Sequence, residues 1–414
     1  MALLESLDSL GVPTQLQTFQ PTHQAAWQRV DAIDATAYAR SRNALDGAVT
    51  GLSPYLTHGL LSLPDAARAV HKRKPLSFDD KLVFEFGWRE FFHHVWGHQK
   101  NPDAILQDMH GAAPWHGQYA DVLPLDIRHG CTGVPAIDNA VRILYNTGYL
   151  HNHMRMWLAS YVVHIRKVHW RAGADWLYGH LLDGDLPSNH LSWQWVAATF
   201  SSKPYLFNAE NVLKYAPTSV RSAWDCSGTV IDQSYEALDE LARNKGGNGP
   251  ERGLHAEVAE PSLLSCFYPL NWPADQSIHA RAAINNIANR TLELVHPWSL
   301  SQRPTTDHLR IGVIHLPAHA AWPWSERRWQ FVLQTMASVT DHIWIGDLAE
   351  LDVSVAHSVT AEVTLFPSYR QALQKIAKLT PEPRLLPNPS MACRSFSKFY
   401  ERAKRDAGQL ADLL

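Results

Sequence analysis

A chain of 414 residues is long enough for two ordinary domains and too long for one. Hydrophobic residues make up 45% and charged residues 19%, without a low-complexity tract, which excludes a disordered or fibrous protein. The net charge is −3, and residues 1–220 hold 18 Lys+Arg against 19 Asp+Glu, so any nucleic-acid contact must rest on a local patch rather than on bulk positive charge. In chain order, the N-terminus carries Glu5 and Asp8 rather than a basic segment before an apolar block, and no apolar run approaches the ~18 residues of a membrane span. No membrane role and a cytoplasmic location are expected. Apolar positions recur three and four apart through the first 220 residues, as in Asp65 to Val70, Lys81 to Phe92 and Ile137 to Tyr145, which predicts helices. Loops are predicted at Ser53-Pro54, Gly130 to Pro135 and Asp183 to Pro187. From Ser227 to Pro261 the chain turns polar and glycine-rich around Lys245 to Pro250, which reads as a linker or exposed loop. Beyond it, strands are expected at Leu309 to Leu316, His342 to Gly346 and Glu362 to Phe366, with helices at Glu326 to Val339, Gln371 to Leu379 and Ser397 to Ala407. The domain reading is therefore 1–225 helical, 226–262 linker or exposed loop, and 263–414 a small α/β domain.

The cysteines Cys131, Cys226, Cys266 and Cys393 lie far apart, without the spacing of a zinc site or an iron–sulfur cluster, so no metal is expected. Two stretches concentrate polar chemistry. In Thr147 to Met156, Asn152, Arg155 and Met156 fall within one helical turn on one face, aiming an amide, a guanidinium and a thioether the same way. A helix end whose polar groups only cap and solvate it explains that stretch equally well. The run Asp183 to Trp195 packs Asp183, Asp185, Asn189, Trp193 and Trp195 into 13 positions. Asp-Gly-Asp alone is a common turn or an oxygen-rich cation site. Joined to an amide and two indoles, it suits the edge and face of a large planar cofactor.

Taken together, four motifs resemble the photolyase and cryptochrome family in order and spacing. They are Tyr38 to Leu56 with Arg42, Thr50, Leu52 and Ser53; Glu85 to Phe92 with Trp88 and Arg89; Gly148 to Met156; and Asp183 to Trp195. The resemblance implies a mainly α protein, with an all-α FAD-binding domain ahead of the small α/β domain. It implies FAD, bound through Tyr38, Thr50, Leu52 and Ser53 on the phosphate side, Arg89 and Arg155 as flanking cations, Arg155 paired to Asp183, Asp185 at the ring edge, and Asn152 and Asn189 beside the flavin. It also implies a pocket for damaged DNA lined by Glu85, Trp88, Asn152, Met156 and Trp195, with Arg42 at the DNA backbone and His153 where the family has a substrate-facing Arg. Asn152 and Met156 carry the pattern of enzymes that repair cyclobutane pyrimidine dimers; those that repair (6-4) products have His at both places. Trp193 and Trp170 match members of the family's electron-relay chain.

The chain departs from that pattern in four places. The phosphate stretch reads Ala48-Val49-Thr50-Gly51-Leu52-Ser53 where the family has Gly-Thr-Ser-x-Leu-Ser, and His153 replaces an Arg. The terminal relay Trp is replaced by Ile127, leaving Tyr149 or Trp157 as substitute rings. The family's N-terminal α/β antenna domain has no counterpart ahead of Tyr38, and the segment after residue 300 is either a relocated relic or an unrelated module; no antenna chromophore is assigned. Three functions are therefore carried forward: light-driven dimer repair by an antenna-less photolyase-like lyase, a cryptochrome-like blue-light sensor that acts on a protein partner through the C-terminal α/β domain, and a flavoprotein of this fold with other redox chemistry.

Overall fold

A computed structural model describes residues 6–99, 106–111, 113–115, 117–244, 256–267, 277–280, 287–303 and 307–414. About half the chain is helical, and the strands form one six-stranded parallel sheet and one two-stranded ladder. No described helix is long and apolar enough to cross a membrane. Contacts divide the chain into two units that are not consecutive stretches: 1–19, 36–49 and 99–261 in one, 20–35, 50–98 and 262–414 in the other.

The first unit is helical. Its centre is made by Pro135–Thr147, Asn152–Ser160, Trp170–His180 and Leu186–Ala197. Each is delimited by local chemistry. Pro135 opens the first without losing an intrahelical donor, and Gly148 closes it in the left-handed conformation at φ 69°. The side chains of His151, His169 and Asp185 accept the first free N–H groups of the other three. Asn152–Ser160 then runs into a wider turn, Tyr161–Ile165, all five residues of which are buried. Trp157, Trp170, Tyr161, Tyr178 and Trp224 fill the core. Gly173 is required there, because a Cβ would lie 2.3 Å from the Trp193 indole.

Two expectations about the first 262 residues need correction. Ser53-Pro54, placed in a loop by its proline, instead starts the short helix Ser53–Thr57, since proline is well suited to a first turn; that helix belongs to the second unit. The stretch 226–262 is not wholly linker: Tyr235–Arg243 is a helix capped by Ser234, with Leu238 and Ala242 buried. Lys167 donates to the carbonyls of Leu241 and Ala242 and so satisfies its last turn. Lys245 to Pro250, the glycine-rich centre of the expected linker, lies outside the described residues.

In the second unit the strands are β1 Ser277–Ala280, β2 Thr291–Val295, β3 Leu309–His315, β4 His342–Gly346, β5 Ser358–Glu362 and β6 Lys378–Thr380. The order is β1-β4-β3-β2-β5-β6, and every pairing is parallel. All seven residues of β3 are buried, which explains its continuous apolar run. Glu326–Val339 carries the chain from β3 to β4, and Pro367–Ile376 from β5 to β6. The strand expected at Glu362 to Phe366 ends at Glu362 instead, because the Thr364 side chain accepts from the Phe366 N–H and Pro367 begins a helix. That helix starts earlier than Gln371, and Leu379 lies in β6. β1 and β2 were not legible in the sequence.

The long helix Lys81–Gly97 belongs to this unit and is held by a buried carboxylate. Glu90 is 5% exposed and accepts from the backbone N–H groups of Leu385 and Leu386, each at 2.7 Å. Glu90→Ala removes both acceptors and leaves two buried donors without partners, so it is expected to destabilise this unit by about 2–4 kcal/mol. Urea unfolding followed by tryptophan fluorescence measures the change; an unaltered midpoint contradicts the assignment.

Candidate functional site

The residues singled out by sequence fall in both units, and each group is described separately. The helical unit holds Tyr38, Arg42, Asn152, His153, Arg155, Met156, Trp170, Asp183, Asp185, Asn189, Trp193 and Trp195. Its organising contact is an ion pair: Arg155 Nη2 lies 2.7 Å from Asp183 Oδ2, with the Asp183 side chain only 2% exposed and that of Arg155 26%. Arg155 Nε also donates to the Leu150 carbonyl, and the guanidinium lies over the Tyr149 ring at 5.4 Å. Burial opposes the charge on Arg155 most strongly, but the Asp183 carboxylate, through charge and hydrogen bond, and Tyr149 together outweigh it and raise the pKa.

One turn of helix brings Asn152 and Met156 together, the amide nitrogen 3.4 Å from the thioether sulfur. Asn152 is exposed and Met156 half-buried, so the pair sits at a surface. At the head of that helix His151 Nδ1 accepts from the His153 N–H, which leaves Nε2 as the donor to the Arg42 carbonyl at 3.0 Å. Burial and then the neighbouring His153 push His151 down to about 3, and burial pushes His153 to about 4. His153 is therefore neutral near pH 7 and does not supply the cation its family position holds. The Arg42 guanidinium is near the Tyr38 ring, 5.9 Å from its centroid, and donates to the Ala39 carbonyl.

Asp185 spends Oδ2 on the N–H and hydroxyl of Ser188, capping the helix that carries the aromatic residues. The Asn189 amide nitrogen donates to the Ala174 carbonyl at 2.8 Å, which turns its oxygen the other way. Trp193 and Trp170 are each 2% exposed, and Trp170 Nε1 donates to Asp108 at 2.6 Å. Trp195 is half-buried beside Tyr205. Ile127, which stands where the resemblance implies a terminal relay Trp, is fully buried. Trp157 stacks on Phe207 and donates to Asn211; Tyr149 pairs with Phe19.

The second unit holds Thr50, Leu52, Ser53, Glu85, Trp88 and Arg89. The Thr50 hydroxyl accepts from the Leu52 N–H, so it shapes a turn, and Leu52 is buried. Ser53 is the first residue of its short helix. Arg89 donates to the Thr57 hydroxyl at 3.3 Å. Glu85 and Trp88 are half-buried, and the Trp88 indole stacks on Phe396 with ring centres 4.1 Å apart and planes 8° off parallel. No local signal marks Phe396 as a neighbour of Trp88, because the two are joined only by the fold. Glu260 was missed as well. It accepts from Arg128 at 2.6 Å, Trp176 at 2.9 Å and His180 at 3.1 Å, and closes the end of the helical unit. Among the described residues no group of three His, Cys, Asp or Glu is arranged to hold a metal.

The donor set of the helical unit fits a flavin: a guanidinium neutralised by an interior carboxylate, a second carboxylate at a helix start, and an amide with an oriented oxygen. Comparison with known proteins agrees. Residues 82–274 match the FAD binding domain of DNA photolyase. A deoxyribodipyrimidine photo-lyase of Neurospora crassa is 32% identical over 258 residues, 58% of this chain and 40% of that protein. One from Streptomyces griseus is 35% identical over 156 residues, 37% of this chain and 32% of that protein. The chain thus spans less than half the length of these relatives. Superposition on the cryptochrome of Synechocystis gives a TM-score of 0.43 at 26% identity over 51% of this chain and 46% of that one, too partial a likeness to carry an argument.

The depressed histidines set a pH dependence. Burial lowers His151 to about 3 and both His164 and His296 to about 4, against 6.5 when unfolded. The unfolded chain binds the extra protons, so their contribution is intact above pH 6.5 and is lost as pH falls toward 4, at up to about 1.4 kcal/mol per pH unit for each. Urea unfolding between pH 7.5 and 5 is expected to show this decline, and His164→Gln to flatten it; a stability that does not fall with pH contradicts the burial of these rings. Over residues 82–274, just under half of its length, the chain is similar to the FAD binding domain of DNA photolyase.

Proposed function

We propose that this chain is a flavin-dependent, photolyase-like lyase that repairs cyclobutane pyrimidine dimers in DNA, with an all-α FAD-binding domain and an α/β domain beside it in the chain. The observation that carries the reading is the pairing of Asn152 with Met156 at the surface of the helix that also presents Arg155. Bound reduced FAD supplies the light-driven electron; the protein supplies binding, orientation and tuning. Arg155, fixed by Asp183, offers a positive charge beside the flavin ring system. The Asn189 oxygen, oriented by the Ala174 contact, is available to a ring N–H. Asn152 offers an amide edge and Met156 a polarisable apolar surface to a base lifted out of the stack. His153, being neutral, contributes a ring rather than a charge, so the DNA backbone loses one cation contact relative to the family pattern.

A sensor reading is favoured by two observations: Ile127 interrupts the aromatic relay, and Phe396 covers a face of Trp88. The two functions separate in one assay. Purified, photoreduced protein is incubated with an oligonucleotide containing a single cyclobutane dimer, in blue light and in darkness. Repair is expected in light alone, and Asn152→His is expected to lower it about tenfold per bound flavin, a loss equal to one good hydrogen bond. Photoreduction without repair in the wild type contradicts the lyase reading and leaves the sensor.

A further inference from the structure

The hydrogen bond from Trp170 to Asp108 joins the interior of the helical unit to its surface. Trp170 opens the helix Trp170–His180 and is 2% exposed, and its Nε1–H donates to Asp108 Oδ1 at 2.6 Å. The Asp108 side chain is 54% exposed, so one end of the contact is buried and the other meets water. An exposed carboxylate on a loop ordinarily moves with the loop. Here the loop is pinned on both sides of it. The Leu106 carbonyl accepts from Arg171 Nη1 at 3.2 Å, the Met109 N–H donates to Gln194 Oε1 at 3.1 Å, and the Gly111 N–H donates to the Thr199 carbonyl at 2.9 Å. Gln194 is itself buried and receives the Thr199 hydroxyl, so that anchor is fixed as well. His169 Nε2 lies 3.7 Å from the same carboxylate oxygen.

Trp170 and Trp193 meet the same stretch of helix. Gly173, one turn on from Trp170 and on the same face, is where a Cβ would lie 2.3 Å from the Trp193 indole. An electron lost by Trp193 can therefore be replaced from Trp170. Beyond Trp170, Ile127 stands where the resemblance implies a terminal indole. A relay that stops on a buried indole draws its electron back unless the positive charge is removed, because the interior solvates a cation poorly. Loss of an electron makes the indole N–H acidic, so the group accepting that N–H decides whether the charge leaves. Other rings are worse placed. Trp157 donates to Asn211, an amide that does not take up a proton, and Tyr149 faces the Arg155 guanidinium at 5.4 Å, a cation that opposes electron loss. Trp176 does donate to a carboxylate, Glu260, at 2.9 Å. Burial works against the charge of Glu260, but His180 and Arg128 outweigh it and hold its carboxyl below the usual range, which makes it a poor proton acceptor.

We propose that Asp108 is the proton acceptor of the aromatic relay and makes Trp170 its terminal ring. The inference rests on the reading of this chain as a light-using flavin protein and adds the residue that lets a shortened relay keep its charges apart. One electron passes from Trp193 to the photoexcited oxidised flavin and one from Trp170 to Trp193, so the flavin is reduced by one electron and Trp170 is oxidised by one. The Nε1 proton crosses the 2.6 Å contact to Asp108 Oδ1, within the reach of a general base, and leaves from the exposed side of the carboxylate to bulk water. A neutral indole radical remains on Trp170. An added thiol restores it with one electron and one proton, and the resulting thiyl radicals couple to a disulfide. Asp108 touches the reacting atom; Arg171 and Gln194 position it by holding its loop.

The test is a blue-light flash on the full-length protein carrying oxidised FAD, with the tryptophan radical followed by transient absorption and the flavin by steady photoreduction in added thiol. The wild type is expected to pass from the indole radical cation to the neutral radical, more slowly in D2O. Asp108→Asn keeps an oxygen that accepts the Trp170 N–H but does not take up the proton. It is expected to retain the radical cation, to shorten the charge-separated lifetime at least about tenfold and to lower the photoreduction yield with it, while Asp108→Glu restores the neutral radical. Trp170→Phe is expected to lower photoreduction at least about tenfold as well. In the dark, the Trp170 indole N–H resonance, identified by its loss in Trp170→Phe, is expected to move upfield in Asp108→Asn, because a neutral acceptor pulls less on the proton. Wild-type radical and yield in Asp108→Asn, or normal photoreduction in Trp170→Phe, overturns the proposal. Visible absorbance before the flash separates the two readings: a wild type without bound flavin is a failure of the flavin reading, and an unmoved dark resonance is a failure of the Asp108 contact. Neutral radical formation without dimer repair removes the lyase function and supports the role of Asp108.

Discussion

The helical unit depends on the pairing of Arg155 with Asp183. Arg155 stands on the helix Asn152–Ser160, and Asp183 lies in the turn between Trp170–His180 and Leu186–Ala197, so one contact of 2.7 Å ties three helices. The Leu182 N–H, donating to Gly148, adds a fourth. A charge as deeply placed as Asp183 survives only with its partner, and breaking such a pair costs about 3–5 kcal/mol because the remaining ion is left uncompensated. The same constraint fixes what lies nearby. Asp185, two residues on, is held at the start of the next helix by Ser188, and Asn189 is one turn further along. The order of this part of the helical unit thus rests on one set of polar side chains.

The sheet unit uses the same device with a different partner. Glu90 is buried and finds its donors in the backbone of residues 385 and 386, nearly three hundred positions away. Around it Trp88 stacks on Phe396, His94 accepts the Cys393 N–H, and Tyr400 donates to the Phe78 carbonyl. The last thirty residues therefore fasten onto the helix Lys81–Gly97, which carries one of the family motifs. That is why contacts group residues 50–98 with 262–414 and not with the stretch that precedes or follows them in sequence.

What the sequence could reveal followed from how local each feature is. The helix Glu326–Val339 and the strands at Leu309 and His342 were legible because periodicity and a continuous apolar run are local signals. The third strand was misplaced by a few residues, since Val363 to Phe366 is as apolar as a strand yet is turned by Thr364 and Pro367. Tyr235–Arg243 was lost inside a polar stretch because only Leu238 and Ala242 of its short apolar face are buried. For the site, the spacing of Asn152, Arg155 and Met156 predicted their shared face, and the pairing of Arg155 with Asp183 came from family resemblance. Phe396, Glu260 and the neutral state of His153 were beyond reach, because each is set by residues distant in sequence or by burial.

We propose that the Arg155–Asp183 pair forms part of an FAD site. The most direct measurement is the flavin bound per chain, taken from visible absorbance after reconstitution, for the wild type, Arg155→Ala and the double variant Arg155→Ala/Asp183→Ala, which removes both charges and avoids an orphaned buried ion. Near-stoichiometric flavin is expected in the wild type and at least about tenfold weaker retention in both variants, with the double variant still folded. Stoichiometric flavin in a folded double variant, or a wild type that takes up no flavin at all, would contradict it.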